Sequence, residues 1–285
     1  KKKKSGFGFD AQGRLLVTDN QGDWLGTSKV HHVREGHFHG HPASLIWREG
    51  WQRNPLQMPP AELDALRTPA MGLLPQGELA NSPTQPIAVP DGVFGAFAGQ
   101  TIIGEMNQKT LVRFIPDPVG DVSQGAAIPF LQTAELGAGN HRIAFTKDGS
   151  MWVGKTHLSW AGAEGLVRVT MREPTQSLFA VDKVRVTSDG FQLQFTQPLQ
   201  EQSLASITVR AHTYNYHKAY GSPKVDDQQV PVVAAKLDAS GTSLTLRFGE
   251  LREGHVYTMA LAGLTSRGGQ PPLGDKIYYT LLKKR

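Results

Sequence analysis

The chain has 285 residues, no cysteine, 31 glycines, 18 prolines and a formal charge of +5, and the lack of cysteine excludes disulfides, thiolate metal sites and covalent c-type haem attachment within it. Seven of its positive charges, Lys1 to Lys4 and Lys283 to Arg285, sit at the two ends and leave the body slightly acidic, so nucleic-acid binding through a folded basic patch is not expected. No apolar run reaches the roughly 18 to 20 residues that cross a bilayer, so no transmembrane segment is expected either.

The opening residues have neither an initiator Met nor the apolar core of a signal peptide and read as a processed or truncated start. High glycine and proline content without a heptad pattern predicts an all-β chain of short strands and tight turns. The first such unit runs from Phe9 to Val17: an aromatic, a polar turn ending in Gly13, then a short apolar strand. Glycine supplies the positive φ that the turn needs. Thr18-Asp19-Asn20-Gln21-Gly22-Asp23-Trp24 follows and gathers carboxylate, amide and backbone oxygens that suit calcium, although Asx-rich turns also cap strands with no metal. Next come His31, His32, His37, His39 and His41. On a strand, the HxHxH spacing would set three imidazoles on one face as zinc or copper ligands. Gly36, Gly40 and Pro42 point instead to a turn with partly exposed histidines.

Eight prolines between Trp47 and Pro90 predict a long loop on one face, with a short helix over Ala61 to Arg67. A strand over Thr101 to Gly104 comes next. Gly139-Asn140-His141-Arg142 then stands at the start of another strand, where Arg and His could grip an anionic ligand or pair with a carboxylate. Phe145 to Val153 repeats the pattern of Phe9 to Val17 at a distance of 136 residues, close to three times the roughly 45-residue period of propeller blades. The spacing predicts a β-propeller in residues 5–173. Only three or four blades fit there, whereas closed propellers have about four to eight and an open array leaves exposed sheet edges. Further blades are expected before Ser5, on this chain or another.

From about Pro174 the pattern becomes period two. Seven strands are read at Val181 to Val186, Gly190 to Phe195, Ile207 to Ala211, Val230 to Leu237, Ser243 to Phe248, His255 to Leu261 and Lys276 to Leu282. They predict an immunoglobulin-like β-sandwich over residues 174–285, without the cysteine pair of antibody domains. The expected fold class is therefore all-β, a partial propeller followed by a sandwich. No nucleophile elbow, GxGxxG turn or P-loop is present. Asp226 and Asp227 are adjacent, so they do not face each other across a sugar as a glycosidase pair must.

Thr18 to Pro42 resembles soluble quinoprotein glucose dehydrogenases and the related sorbosone and aldose-sugar dehydrogenases. Gln21-Gly22-Asp23 matches the turn that ends a blade strand in that family, and Gly36 to Pro42 loosely matches the turn that opens the next blade. Gly99 to Gly104 through Leu111-Val112-Arg113, and His141 to Val153, look like the blades that follow, so the likeness spans Ser5 to about Thr170. Tyr214-Asn215-Tyr216, Tyr220-Gly221-Ser222-Pro223 and Val230-Pro231-Val232 resemble the immunoglobulin-like domain of large secreted bacterial members.

The resemblance implies the C-terminal blades of a six-bladed propeller, pyrroloquinoline quinone and calcium as cofactors, and a periplasmic or extracellular oxidoreductase. Such an enzyme would oxidise a sugar or related carbonyl compound and pass electrons to a cytochrome or other acceptor. It implies that Gln21, Gly22, Asn107, His141 and Arg142 face the quinone, with Gly22 and Asp23 at the metal. Asn107 stands where the family has a quinone-binding lysine, and Gly139 and His141 where it has two arginines. The family's catalytic histidine lies in a blade that this chain lacks. Two other readings stay open: a non-catalytic propeller that binds carbohydrate or a protein partner, and a metal-dependent hydrolase or lyase using His37, His39 and His41.

Overall fold

Asp10 closes the first hairpin of the computed structural model, which describes residues 4–171 and 178–285. Its carboxylate accepts from the backbone N–H groups of Gln12 (3.0 Å) and Arg14 (2.9 Å) and from Arg14 Nε (2.6 Å). Gly13 takes φ 74°. The chain therefore folds β1 (Lys4–Phe9) back onto β2 (Leu15–Asp19), and β3 (Ser28–His32) and β4 (Gly72–Leu74) complete an antiparallel sheet in chain order. Between β3 and β4 run two 3-10 turns, Pro42–Trp47 and Pro55–Gln57, and the helix α1 (Pro60–Leu66).

The prolines mislead in one place. The stretch expected to be loop contains β4 and also β5 (Pro83–Ala88), a strand with two prolines in it. β5 lies at the edge of its sheet, pairs only with β6 (Thr101–Glu105), and its register shifts between Pro83 and Pro86. An edge has ladder positions that need no N–H, so proline is tolerated there. β7 (Leu111–Pro116) and β8 (Gly125–Phe130) continue this second sheet.

A third antiparallel sheet consists of β9 (Asn140–Phe145), β10 (Met151–Lys155) and, after the small hairpin β11 (His157–Leu158) and β12 (Ala161–Gly162), β13 (Leu166–Val169). Its first turn reproduces that of the first sheet. Phe145 pairs with Met151 as Phe9 pairs with Leu15. The Thr146 N–H donates to the Ser150 carbonyl as the Asp10 N–H does to that of Arg14. The repeat in the sequence is thus a repeat of backbone geometry.

The three sheets stack with β1, β5 and β9 side by side. Thr18 Oγ1 on β2 donates to the Thr84 carbonyl on β5, and Thr84 Oγ1 donates to the Asn140 carbonyl on β9, both at 2.7 Å. Gly8 lets β1 approach β5, because a Cβ there would fall 1.9 Å from the Pro86 oxygen. Leu16, Val30 and Leu74 pack against Ile103, Val112 and Phe114 between the first two sheets, and Ile102, Leu111 and Phe130 against Ile143, Met151 and Val153 between the second and third.

The remaining strands are β14 (Val181–Val186), β15 (Gly190–Phe195), β16 (Thr208–Thr213), β17 (Val225–Gln229), β18 (Val232–Leu237), β19 (Ser243–Phe248), β20 (His255–Ala260) and β21 (Lys276–Leu281). One sheet has the order β14-β15-β19-β18. The order β17-β16-β20-β21 runs on directly into β8, so eight strands form one continuous sheet, and among the described residues no sheet closes on itself. The change of character expected near Pro174 lies outside the described residues, and the hydrogen bonding crosses it, with Tyr279 opposite Ala126. The strand read over Val230 to Leu237 is β18 alone, and β17 precedes it unannounced. Pro231 marks the corner, β17 joins one sheet and β18 the other. Between these sheets Phe191 contacts the rings of Tyr279 (4.7 Å), Tyr257 (5.5 Å) and Phe248 (5.8 Å). Among the described residues no helix is long and apolar enough to cross a membrane.

Candidate functional site

The second strand of each of the first three sheets ends in a charged residue: Asp19 on β2, Glu105 on β6 and Lys155 on β10. Around them the strand ends form a polar rim. Asp19 faces the buried Lys29 ammonium at 3.6 Å, and Lys29 Nζ also donates to the Asn20 carbonyl at 2.7 Å. Asn20 Nδ2 donates to Ser82 Oγ (3.2 Å). The fully buried Glu105 carboxylate accepts from the N–H groups of Ser82 (2.8 Å), Asn107 (2.8 Å) and Gln108 (3.1 Å). Burial lifts its pKa above the usual carboxylate range, against the pull of these donors. Lys155 Nζ donates to the carbonyls of Leu136 and Ala138 and to Asn140 Oδ1, and burial lowers its pKa.

Glu105 thus holds two loops in place, the one after β6 and the one before β5. Glu105→Ala is expected to lower unfolding free energy by about 2–4 kcal/mol, because buried N–H groups lose their acceptor. Glu105→Gln should cost roughly half as much, since one amide oxygen still accepts. Urea titration of the three proteins checks the order.

The residues singled out in the sequence fall into three places. Asn107 belongs to the rim, where its Oδ1 accepts from Asn81 Nδ2 (2.7 Å). His141 and Arg142 lie on β9. Arg142 is exposed and donates to the neighbouring His141 carbonyl (3.1 Å), and burial followed by the Arg142 charge lowers the His141 pKa. Gln21, Gly22 and Asp23 lie against the loop between β16 and β17. The Gly22 carbonyl accepts from the N–H groups of Leu25 (3.3 Å) and Gly221 (3.1 Å), and Asp23 forms a backbone bridge with Tyr220. The Gln21 amide sits so close to Gly221 that a Cβ there would fall 1.8 Å from its Nε2. Two segments far apart in the sequence therefore meet, the turn after β2 and the tyrosine-rich loop.

This meeting encloses a cavity of about 140 Å³ lined by Trp24, Thr27, Arg67, Tyr214, Asn215 and Tyr216, among others. Trp24 and Tyr216 rings lie 5.3 Å apart at 45°, and the Arg67 guanidinium sits 5.0 Å above the Tyr216 ring. Trp24 is held at φ 69°, a left-handed conformation that a bulky side chain rarely adopts. The Tyr216 hydroxyl donates to the Gly40 carbonyl (2.8 Å), and burial pushes its pKa up to about 12. Sequence reasoning did not single out Arg67 or Glu105, and it included Trp24 only as the end of the Thr18–Trp24 turn. Only Glu105 carried a signal, as a lone acid closing an apolar strand.

His37 to His41 runs as an irregular turn rather than a strand. The His39 ring lies 4.8 Å from His31 and 5.9 Å from His37, while His41 Nδ1 accepts from the Ala43 N–H at the start of a 3-10 turn. Among the described residues no group of three or more His, Cys, Asp or Glu side chains could hold a metal ion.

The residues implied for pyrroloquinoline quinone and calcium lie in three separate places, and two of their oxygens are already engaged. The Gly22 oxygen has two N–H partners and Asn107 Oδ1 has one. No family model matches the sequence, and no curated protein matches it.

Proposed function

We propose that the chain is a sugar-recognising protein of the periplasm or cell exterior, built as three blades of a sugar-dehydrogenase-like propeller joined to an immunoglobulin-like sandwich. The repeated hairpin and the side-by-side first strands support the propeller reading, since blades stand in this way around an axis. The cavity between Trp24, Tyr216 and Arg67 carries the functional reading. A pyranose ring has apolar C–H faces and a hydroxylated rim. Tilted aromatic faces suit the first, and the guanidinium and the Asn215 amide suit the second. Recognition without turnover accords with a Gln21-Gly22 turn whose carbonyl is engaged in docking the sandwich.

Calorimetric titration with mono- and oligosaccharides tests this. Saturable binding is expected, weakened about tenfold or more by Arg67→Ala and by Tyr216→Ala, which corresponds to about 1.4 kcal/mol. Sugar-dependent dye reduction with added pyrroloquinoline quinone and calcium is expected to be absent. Turnover that chelation abolishes would overturn the recognition reading in favour of a dehydrogenase. Gln21 and Arg142 would then be the first residues to replace.

A further inference from the structure

The turn that joins β7 to β8 sets a serine against a histidine from another sheet. Val119 and Val122 exchange backbone hydrogen bonds at 3.0 and 3.2 Å, with Gly120 at φ 60°, and this tight turn delivers Ser123 to the end of β3. His32 is the last residue of β3 and pairs with Leu16. The Val33 N–H beyond it donates to the Leu15 carbonyl at 2.9 Å, so the backbone holds the imidazole from both sides. Ser123 Oγ and His32 Nδ1 lie 2.7 Å apart, although 91 positions separate them in the chain.

Both residues line a cavity of about 230 Å³, walled by Pro69, Met71, Val122 and Leu282 and bordered by Arg34. One N–H of the Arg34 guanidinium donates to the Asp121 carbonyl at 3.1 Å, which fixes the positive charge beside the cavity. Burial, followed by that charge, holds the His32 pKa below the usual histidine value, so the imidazole is neutral at pH 7. A neutral imidazole at hydrogen-bond distance from a hydroxyl is what a serine nucleophile needs from its base.

We propose that Ser123 and His32 form a nucleophile–base dyad that hydrolyses small carboxylic esters, with Arg34 stabilising the charge that develops on the ester oxygen. The apolar walls fit a short uncharged acyl chain. With the ring proton on Nε2, the Ser123 hydroxyl donates to Nδ1. Oγ attacks the ester carbonyl carbon, and its proton passes to Nδ1. The oxyanion that forms is held by the fixed charge of Arg34. The bond from carbon to the alcohol oxygen then breaks, and the alcohol leaves with the proton from Nδ1. Water gives a proton to Nδ1 and attacks the acyl carbon. Oγ departs, takes that proton back and releases the carboxylic acid. Pro69 and Leu282 also line the Trp24–Tyr216 cavity, but the dyad does not depend on sugar recognition, and esters without a sugar test it.

Hydrolysis of p-nitrophenyl acetate and butyrate near neutral pH, and labelling by a fluorophosphonate, are measured on the full chain. Turnover above the buffer rate is expected, with one phosphonyl group per chain, placed on Ser123 by peptide mass spectrometry. Ser123→Ala should lose both signals. His32→Ala should slow ester hydrolysis about 100-fold, the lower end of what a general base contributes. Added imidazole should restore part of that rate, which a purely structural histidine would not allow. Labelling of the wild type needs no variant and so decides the matter even where a substitution unfolds the chain. No turnover above buffer, turnover that survives Ser123→Ala, or a label on another serine would overturn the proposal. The Ser123–His32 bond would then be only a tie between the turn and β3.

Discussion

Phe191→Ala is expected to lower unfolding free energy by about 3–5 kcal/mol, the usual cost of removing a buried aromatic side chain, and to shift the unfolding of the whole chain. Phe191 is wholly buried between the two C-terminal sheets, against Tyr279, Tyr257 and Phe248. All five tryptophans, at positions 24, 47, 51, 152 and 160, lie outside that region. Fluorescence of Trp152 and Trp160 therefore reports on the part of the chain that the substitution does not touch, whereas Trp24 also contacts Tyr216 of the C-terminal part. The link between the parts is strong. β8 pairs with β21, and the fully buried Arg113 donates from β7 to the Val181 carbonyl at 2.6 Å and to Gln100 at 2.9 Å. The Leu73 N–H donates to Thr280 Oγ1 at 2.7 Å. Coupled elements unfold as one unit, so the tryptophan transition in urea should move to lower denaturant together with the circular-dichroism transition. A tryptophan midpoint that stays in place while the dichroism midpoint falls would mean that the two parts unfold separately.

This coupling explains what was and was not legible in the sequence. Local signals were readable where one residue dictates the local geometry. The Gly13 and Gly149 turns, the strands after them and the period-two strands of the C-terminal half follow from backbone freedom and alternation. β5 was not readable, because Pro83 and Pro86 argue against a strand unless its place at a sheet edge is known. β17 was not readable either. Val225 to Gln229 has no apolar alternation because it is an exposed edge strand. The continuity of β21 with β8 joins residues some 150 positions apart, and no local pattern encodes a pairing of that kind.

The candidate site divides in the same way. The Gln21-Gly22 turn and the Tyr214 to Pro223 loop each stood out as unusual, but nothing in either segment announces the other. Their contact depends on Gly26 and Gly221, where a Cβ would collide with Tyr214 and with Gln21. Arg67 reaches the cavity from the end of α1, the short helix that the sequence suggested, but nothing local ties that helix to the cavity.

The stability of the protein should fall steeply between about pH 6.5 and pH 4, and His212 should account for about 3 kcal/mol of the loss. Its imidazole is fully buried on β16, edge-on to Tyr214, with Nε2 and the Tyr214 hydroxyl 3.2 Å apart. Burial, aided by the Lys224 charge, depresses its pKa from 6.5 to about 4, against the opposing pull of Asp227 and Glu78. The folded state therefore keeps His212 neutral at a pH where the unfolded chain already binds the proton. Stability from this group is fully present above pH 6.5 and is lost as the pH falls toward 4. His32 and His141 are depressed in the same direction, first by burial, so the wild-type slope contains more than one histidine. His212→Gln isolates the largest share, because the amide can still bond the Tyr214 hydroxyl but does not titrate in this range. Urea unfolding at pH 7 and pH 4.5 should show the wild type losing about 2–3 kcal/mol more than the variant. Equal losses in both proteins would remove His212 from the account. Tyr214 also lines the cavity beside Trp24, and a protonated His212 can no longer accept from its hydroxyl. Sugar affinity should therefore weaken over the same pH range in the wild type and much less in the variant.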